Sequence, residues 1–181
     1  RSNLSNGLLQ RFDRYGDVDD LDDAICNAEI AQSAPADDRF ESARRLSSYA
    51  NLLLRRYRKS GNPQDVEVAL SKAEDALSTI PVSHPERATY LGTVGIIFRE
   101  RYWLGGRVSD LELAISRCKE AVRMTPENHV DRAGRIRNLE SLLVMTHPSV
   151  REDFFHSGAT PEWEKIVVML ESKELGGWPS R

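Results

Sequence analysis

The chain has 181 residues, 40% of them hydrophobic and 29% charged, with a net charge of −3 and a pI near 5.9. That balance is ordinary for a globular protein and lacks the basic excess that marks nucleic acid or an anionic membrane as a partner. Two cysteines, Cys26 and Cys118, are too few for a disulfide framework or a four-ligand metal site and fit a reducing, cytoplasmic setting.

The chain repeats itself every 45 residues. Gly16, Gly61 and Gly106 are each preceded by an Arg-aromatic pair (Arg11-Phe12, Arg56-Tyr57, Arg101-Tyr102). Each is followed by an Asp-apolar pair (Asp20-Leu21, Asp65-Val66, Asp110-Leu111) and then by Ala24, Ala69 or Ala114. A period in this range marks a stacked array, whose units bury their apolar faces on copies of themselves. The pattern opens directly at Arg1, as in a piece cut from a longer protein whose other domains hold the activity. No apolar run approaches the roughly 18 residues that span a bilayer, and no signal-peptide pattern opens the sequence.

Each repeat reads as two helices, because apolar and small residues recur at steps of three and four. In the second repeat the first helix is expected from about Glu41 to Lys59, ending at Gly61, and the second from about Gln64 to Thr79, stopped by Pro81. Pro35 and Pro126 do the same work in the other copies. Ala24, Ala28 and Ala31 match Ala69, Ala73 and Ala76, then Ala114, Cys118 and Ala121, so small residues return where helices approach closely. Cys118 therefore reads as a buried structural thiol. A fourth first-helix starts near Arg132. The pattern then fails: Pro161 to about Leu175 reads as one amphipathic helix, and residues 146–181 as a helical cap over the open core. The expected boundaries are 1–40, 41–85, 86–131, a half repeat 132–145, and the cap.

The alanine pair seven apart followed by proline, as in Ala69, Ala76 and Pro81 or Ala114, Ala121 and Pro126, resembles the second helix of a tetratricopeptide repeat. Leu46, Tyr49, Ala50 and Leu53 resemble its first helix, although that family's repeat is about 34 residues long. The longer repeat, with His84-Pro85-Glu86-Arg87-Ala88 as a connector, is similar to the extended arrays of large fungal proteins and to kinesin light chain repeats. The resemblance implies a right-handed all-α solenoid. It further implies an array that binds a protein or peptide through the groove of its first helices, or that controls a CHAT-type protease or STAND-type nucleotide-binding domain of its own chain.

The histidines His84 and His129 fall in equivalent loops and read as structural. The run Asp17, Asp19, Asp20, Asp22 and Asp23 lacks the glycine of a calcium loop and reads as carboxylates at a helix start. Arg11, Arg56 and Arg101 read as packing their stems and pairing with acids. No nucleophile elbow, zinc-protease motif, phosphate loop or dinucleotide fingerprint occurs, so the chain reads as a binder and not an enzyme, with no cofactor and no metal.

Residues that break the period are the better site candidates, because the fold does not demand them. They are Asn6, Gln10, Asn51, Arg55 and Arg99 on the first helices, and Trp103, whose equivalents Asp13 and Arg58 place its column toward water. By the resemblance, Asn6, Asn51 and Arg55 match part of the clamp by which some members hold a chaperone's terminal carboxylate, with Ser2 and Ser47 where that clamp has lysine. A third reading is a small-molecule or catalytic pocket where array meets cap, using His147, Glu152, His156 or Trp163.

Overall fold

The computed structural model describes residues 2–34 and 38–146. Contacts divide the chain into one compact unit through Met124 and a second from Thr125. Among the described residues all regular structure is helical: α1 (Ser2–Tyr15), α2 (Val18–Ser33), α3 (Arg39–Ser60), α4 (Pro63–Thr79), α5 (Arg87–Gly105) and α6 (Val108–Arg123) in the first unit, and α7 (Arg132–Thr146) in the second. In the first unit α1 packs on α2, α3 on α4 and α5 on α6. These hairpins join through α2 against α3, α4 against α5, and α3 against α5. This is an α-solenoid of stacked helix hairpins. The expected cap of 146–181 lies outside the described residues except for Thr146, which ends α7, and Pro35 lies outside them too.

Each hairpin turns at its glycine. Gly16, Gly61 and Gly106 have φ of 73°, 73° and 66°, and their amides donate to the carbonyls of Phe12, Tyr57 and Tyr102 at 2.7 Å. The left-handed conformation ends one helix and frees the chain to start the next two residues later. Asp17 and Asn62 then cap α2 and α4 by accepting from the Asp19 and Gln64 amides at 3.1 and 3.2 Å.

The repeated arginine closes the hairpin that the glycine bends. Arg101 donates through Nε and Nη2 to both oxygens of Asp110, at 3.0 and 2.7 Å, and Arg56 grips Asp65 in the same way, at 2.9 and 2.7 Å. Their third nitrogens reach back to the preceding hairpin, Arg101 to Glu67 at 3.4 Å and Arg56 to Asp22 at 3.8 Å. Asp65 and Asp110 are buried, so the paired guanidinium is what makes their burial tolerable. The first repeat is looser. Arg11 stays 63% exposed, and its Nε lies 3.3 Å from an Asp20 Oδ2 that has no aligned hydrogen bond.

A second arginine holds the connection between repeats. Arg87 Nη1 donates to the carbonyls of Leu77 and Ile80 at the end of α4 (3.2 and 2.7 Å), and Arg45 Nη1 does so for Ala31 and Ala34 at the end of α2 (3.2 and 3.5 Å). The last carbonyls of a helix lack the full set of partners that its interior supplies, although the Ala31 carbonyl also accepts from the Ala34 amide at 3.4 Å. The second unit repeats the device, with Arg132 donating to the Thr125 carbonyl. His84 and His129 cap the same turns, accepting at Nδ1 from the amides of Glu86 (3.2 Å) and Asp131 (3.1 Å). His84 also stacks on Phe40 with ring centroids 4.6 Å apart.

The small-residue columns are buried throughout. At one place they have been exchanged. Cys118 stands where the other copies have Ala28 and Ala73, and opposite it Gly95 stands where the second repeat has Ala50. A Cβ on Gly95 would lie 2.7 Å from Cys118 Sγ and 3.2 Å from the Ala114 carbonyl oxygen. The glycine thus makes room for the larger thiol.

Two outcomes follow from these contacts. Gly95→Ala should lower stability by roughly 1–3 kcal/mol through overpacking, and adding Cys118→Ala should recover most of it, a coupling measured by urea denaturation of the four-member cycle. Asp110→Ala should cost about 3 kcal/mol by removing the buried partner of Arg101, whereas Asp20→Ala should cost less than about 1 kcal/mol because its partner Arg11 stays largely in water.

Candidate functional site along the first helices

The exposed side of α3 forms the site. Arg44, Ser48, Asn51, Arg55 and Arg58 follow at steps of four, three, four and three and so lie on one stripe. A cavity of about 280 Å³ lies beside it, walled by Ser5 and Leu9 of α1, Ala28 and Ala31 of α2, and Arg44, Arg45, Ser48, Asn51, Leu52 and Arg55 of α3. A second and more open cavity, about 400 Å³, continues the groove between Phe12 of α1, Ile96 of α5 and the end of α3, where Leu54, Arg58 and Lys59 line it. Asn51 and Arg55 border both cavities.

The cations are held in a pattern. Glu41 takes Arg44 through Oε2 and Arg45 through Oε1, the latter at 2.8 Å, and these hydrogen bonds, that of Arg44 foremost, hold the Glu41 carboxyl below the usual range. Arg55 pairs with Asp13, and Arg58 with Glu100 at 2.8 Å, each across 42 residues from one first helix to the next. Glu100 also takes Arg99 at 3.1 Å. The Asn51 amide donates to the Ser47 carbonyl of its own helix at 3.1 Å.

Of the residues expected from sequence, the structure brings Asn51 and Arg55 together on the groove wall. Gln10 and Arg99 line neither cavity: Gln10 is exposed on α1, and Arg99 is spent on Glu100. Trp103 is 63% exposed, with the tilted Tyr102 ring centred 6.1 Å away, and it too lies off the groove. Asn6 belongs to α1, but its side chain lies outside the described part of the structure, as do His147, Glu152, His156 and Trp163. Sequence reasoning missed Arg44, Ser48, Arg58 and Lys59, and it missed the pairing across 42 residues. The available signal was the composition of α3, which carries six arginines and Lys59 against the single acid Glu41.

No protein-family model matches the chain, and no curated protein matches it. Solved structures that it resembles include a helical repeat protein and a filament. The de novo designed helical repeat protein DHR64 matches at 18% identity over 96% of this chain and 90% of that one, with a TM-score of 0.46. The DHF79 filament matches at 17% identity over 94% of each chain, with a TM-score of 0.42.

Among the described residues no group of three or more His, Cys, Asp or Glu side chains is arranged to hold a metal ion, and no helix is long and apolar enough to cross a membrane. The two thiols differ sharply. Cys26 is exposed on α2, while burial pushes the Cys118 thiol up to about 11, so it stays protonated and shielded at neutral pH. At pH 8 a thiol reagent such as Ellman's should therefore titrate one group, Cys26, within minutes, and the second only after denaturant is added.

Proposed function

We propose that the chain is a non-catalytic interaction module, a tetratricopeptide-like array that binds a peptide or partner protein in the groove along α3. The observation that carries this is the continuity of the two cavities past Asn51 and Arg55, with the first helices α1, α3 and α5 supplying most of the walls and α2 the rest. The groove has a part-exposed apolar lining in Leu9, Phe12 and Ile96 and a polar rim, the combination that anchors an extended or helical segment while fixing its register. A preformed wall limits the ordering cost of binding. The partner is supplied either by a second protein or by an effector domain of the same chain, such as a CHAT protease or STAND switch. An array of this kind acts in the cytoplasm as a scaffold or sensing segment.

The test is selection of binders from a random displayed peptide library against the 181-residue chain, followed by measurement on Asn51→Trp. The indole fills the junction of both cavities from an exposed position, so the selected peptides should lose at least tenfold in affinity with the circular dichroism unchanged. Peptides that bind Asn51→Trp as well as the parent overturn the groove as the binding site.

A further inference from the structure

Away from the groove, the turn of the second hairpin joins a hydroxyl to a run of positive charge. Ser60 is the last residue of α3, directly before the left-handed Gly61, where the other two hairpins have Tyr15 and Gly105. The repeat does not require a serine there. Arg55, Arg56, Arg58 and Lys59 fill four of the five positions before it, and Gly61, Asn62 and Pro63 after it are uncharged. Residues 58–64 are all exposed. One other stretch, Arg44-Arg45-Leu46-Ser47-Ser48, sets serines after paired arginines, but it lies well inside α3, and Ser47 is only 7% exposed.

We propose that Ser60 is a phosphorylation site for a protein kinase that reads basic residues on the N-terminal side of its acceptor. Such an enzyme takes its substrate as an extended strand, so the acceptor has to leave its helix. At Ser60 only the last turn of α3 must open, a fraying that helix ends undergo readily. At Ser47 or Ser48 the helix would have to break in its middle and draw the buried Tyr49, Ala50 and Leu52 out of the core. Accessibility thus selects between two stretches that sequence alone leaves alike. The Ser60 hydroxyl donates to the Arg56 carbonyl at 2.9 Å and accepts from the Asn62 amide at 3.2 Å, both at an exposed turn where water can replace them. In the transfer, Ser60 Oγ attacks the γ-phosphorus of magnesium-bound ATP and an Oγ–P bond forms. The bond from that phosphorus to the β,γ-bridging oxygen breaks, ADP leaves, and the hydroxyl proton passes to the kinase's aspartate. The product ends α3 with about −1.5 to −2 charges, which offset Arg58 and Lys59 and turn this end of the helix from positive to near neutral. The ester oxygen can still accept from Asn62, but the donor to the Arg56 carbonyl is lost.

The test is phosphorylation of the full chain by the catalytic fragment of protein kinase C, with the acceptors mapped and their rates read by mass spectrometry. A free peptide of residues 54–64 shows what the sequence accepts once the fold is removed. The peptide should take phosphate on Ser60, and the folded chain should do so with a kcat/KM within about tenfold of the peptide's, the allowance for fraying one turn. Ser47 and Ser48 should be modified in the folded chain at least tenfold more slowly than Ser60. Arg58→Gln/Lys59→Gln should lower kcat/KM at Ser60 at least tenfold with the circular dichroism unchanged. Lys59→Gln alone, an exposed change that touches no ion pair of Arg58, should lower it several-fold. Casein kinase II, which reads acidic residues, should leave Ser60 unmodified. The proposal is overturned if the peptide is not a substrate, if the folded chain is more than tenfold poorer than the peptide, or if Ser47 or Ser48 outpaces Ser60. It is equally overturned if the glutamine variants keep the parent's rate or if casein kinase II modifies Ser60 as well as protein kinase C does.

Discussion

The array depends on a guanidinium that serves two hairpins at once. In the second and third repeats the arginine five residues before the glycine turn closes its own hairpin on a buried aspartate and reaches an acid on the preceding one. A helix hairpin of about 40 residues cannot bury enough apolar surface to stand alone, so its neighbours must be fixed to it in one register. Apolar packing between helices is permissive about register. A forked, bidentate ion pair is not, because its two parallel hydrogen bonds demand one orientation of the plane. The arginine stem adds packing as well, with the Arg101 guanidinium carbon 5.1 Å from the Phe98 ring centre.

Around that clasp the structure tolerates exchange where volume is kept. Gly95 and Cys118 together fill the space that Ala50 and Ala73 fill in the previous copy, so a methyl group's worth of volume has passed from the first helix to the second. The thiol gains no chemistry from the move. Burial keeps it neutral, and Arg99, the cation that acts on it, is outweighed.

Much of the fold was legible because each feature has a local cause. Left-handed glycines, helix-stopping prolines and alanine columns act within a few residues of themselves, and the period of 45 multiplies their signal. The expected α3 and α4 agree with the structure to within two residues at each end. The structural histidines were legible for the same reason, each capping the turn it starts. The site was legible only in part. Asn51 and Arg55 stood out by breaking the period, but their surroundings depend on which residue of α1 faces which residue of α3. That register is 42 and not 45, because side chains that meet across neighbouring helices lie about one turn out of phase with the repeat. Equivalence of sequence position therefore grouped Asp13 with Arg58 and Arg55 with Glu100, when the structure pairs Asp13 with Arg55 and Arg58 with Glu100.

That displaced pairing has a consequence for how such an array can change in length. The first junction runs acid to base, Asp13 to Arg55, and the second runs base to acid, Arg58 to Glu100. Excising one whole 45-residue period from the middle would leave every hairpin and clasp intact, and yet it would set Asp13 opposite Glu100, carboxylate against carboxylate. Repeats that look interchangeable in sequence thus carry edges that fit only their present neighbours, and the order of the repeats is written in the sign of two pairs of charges.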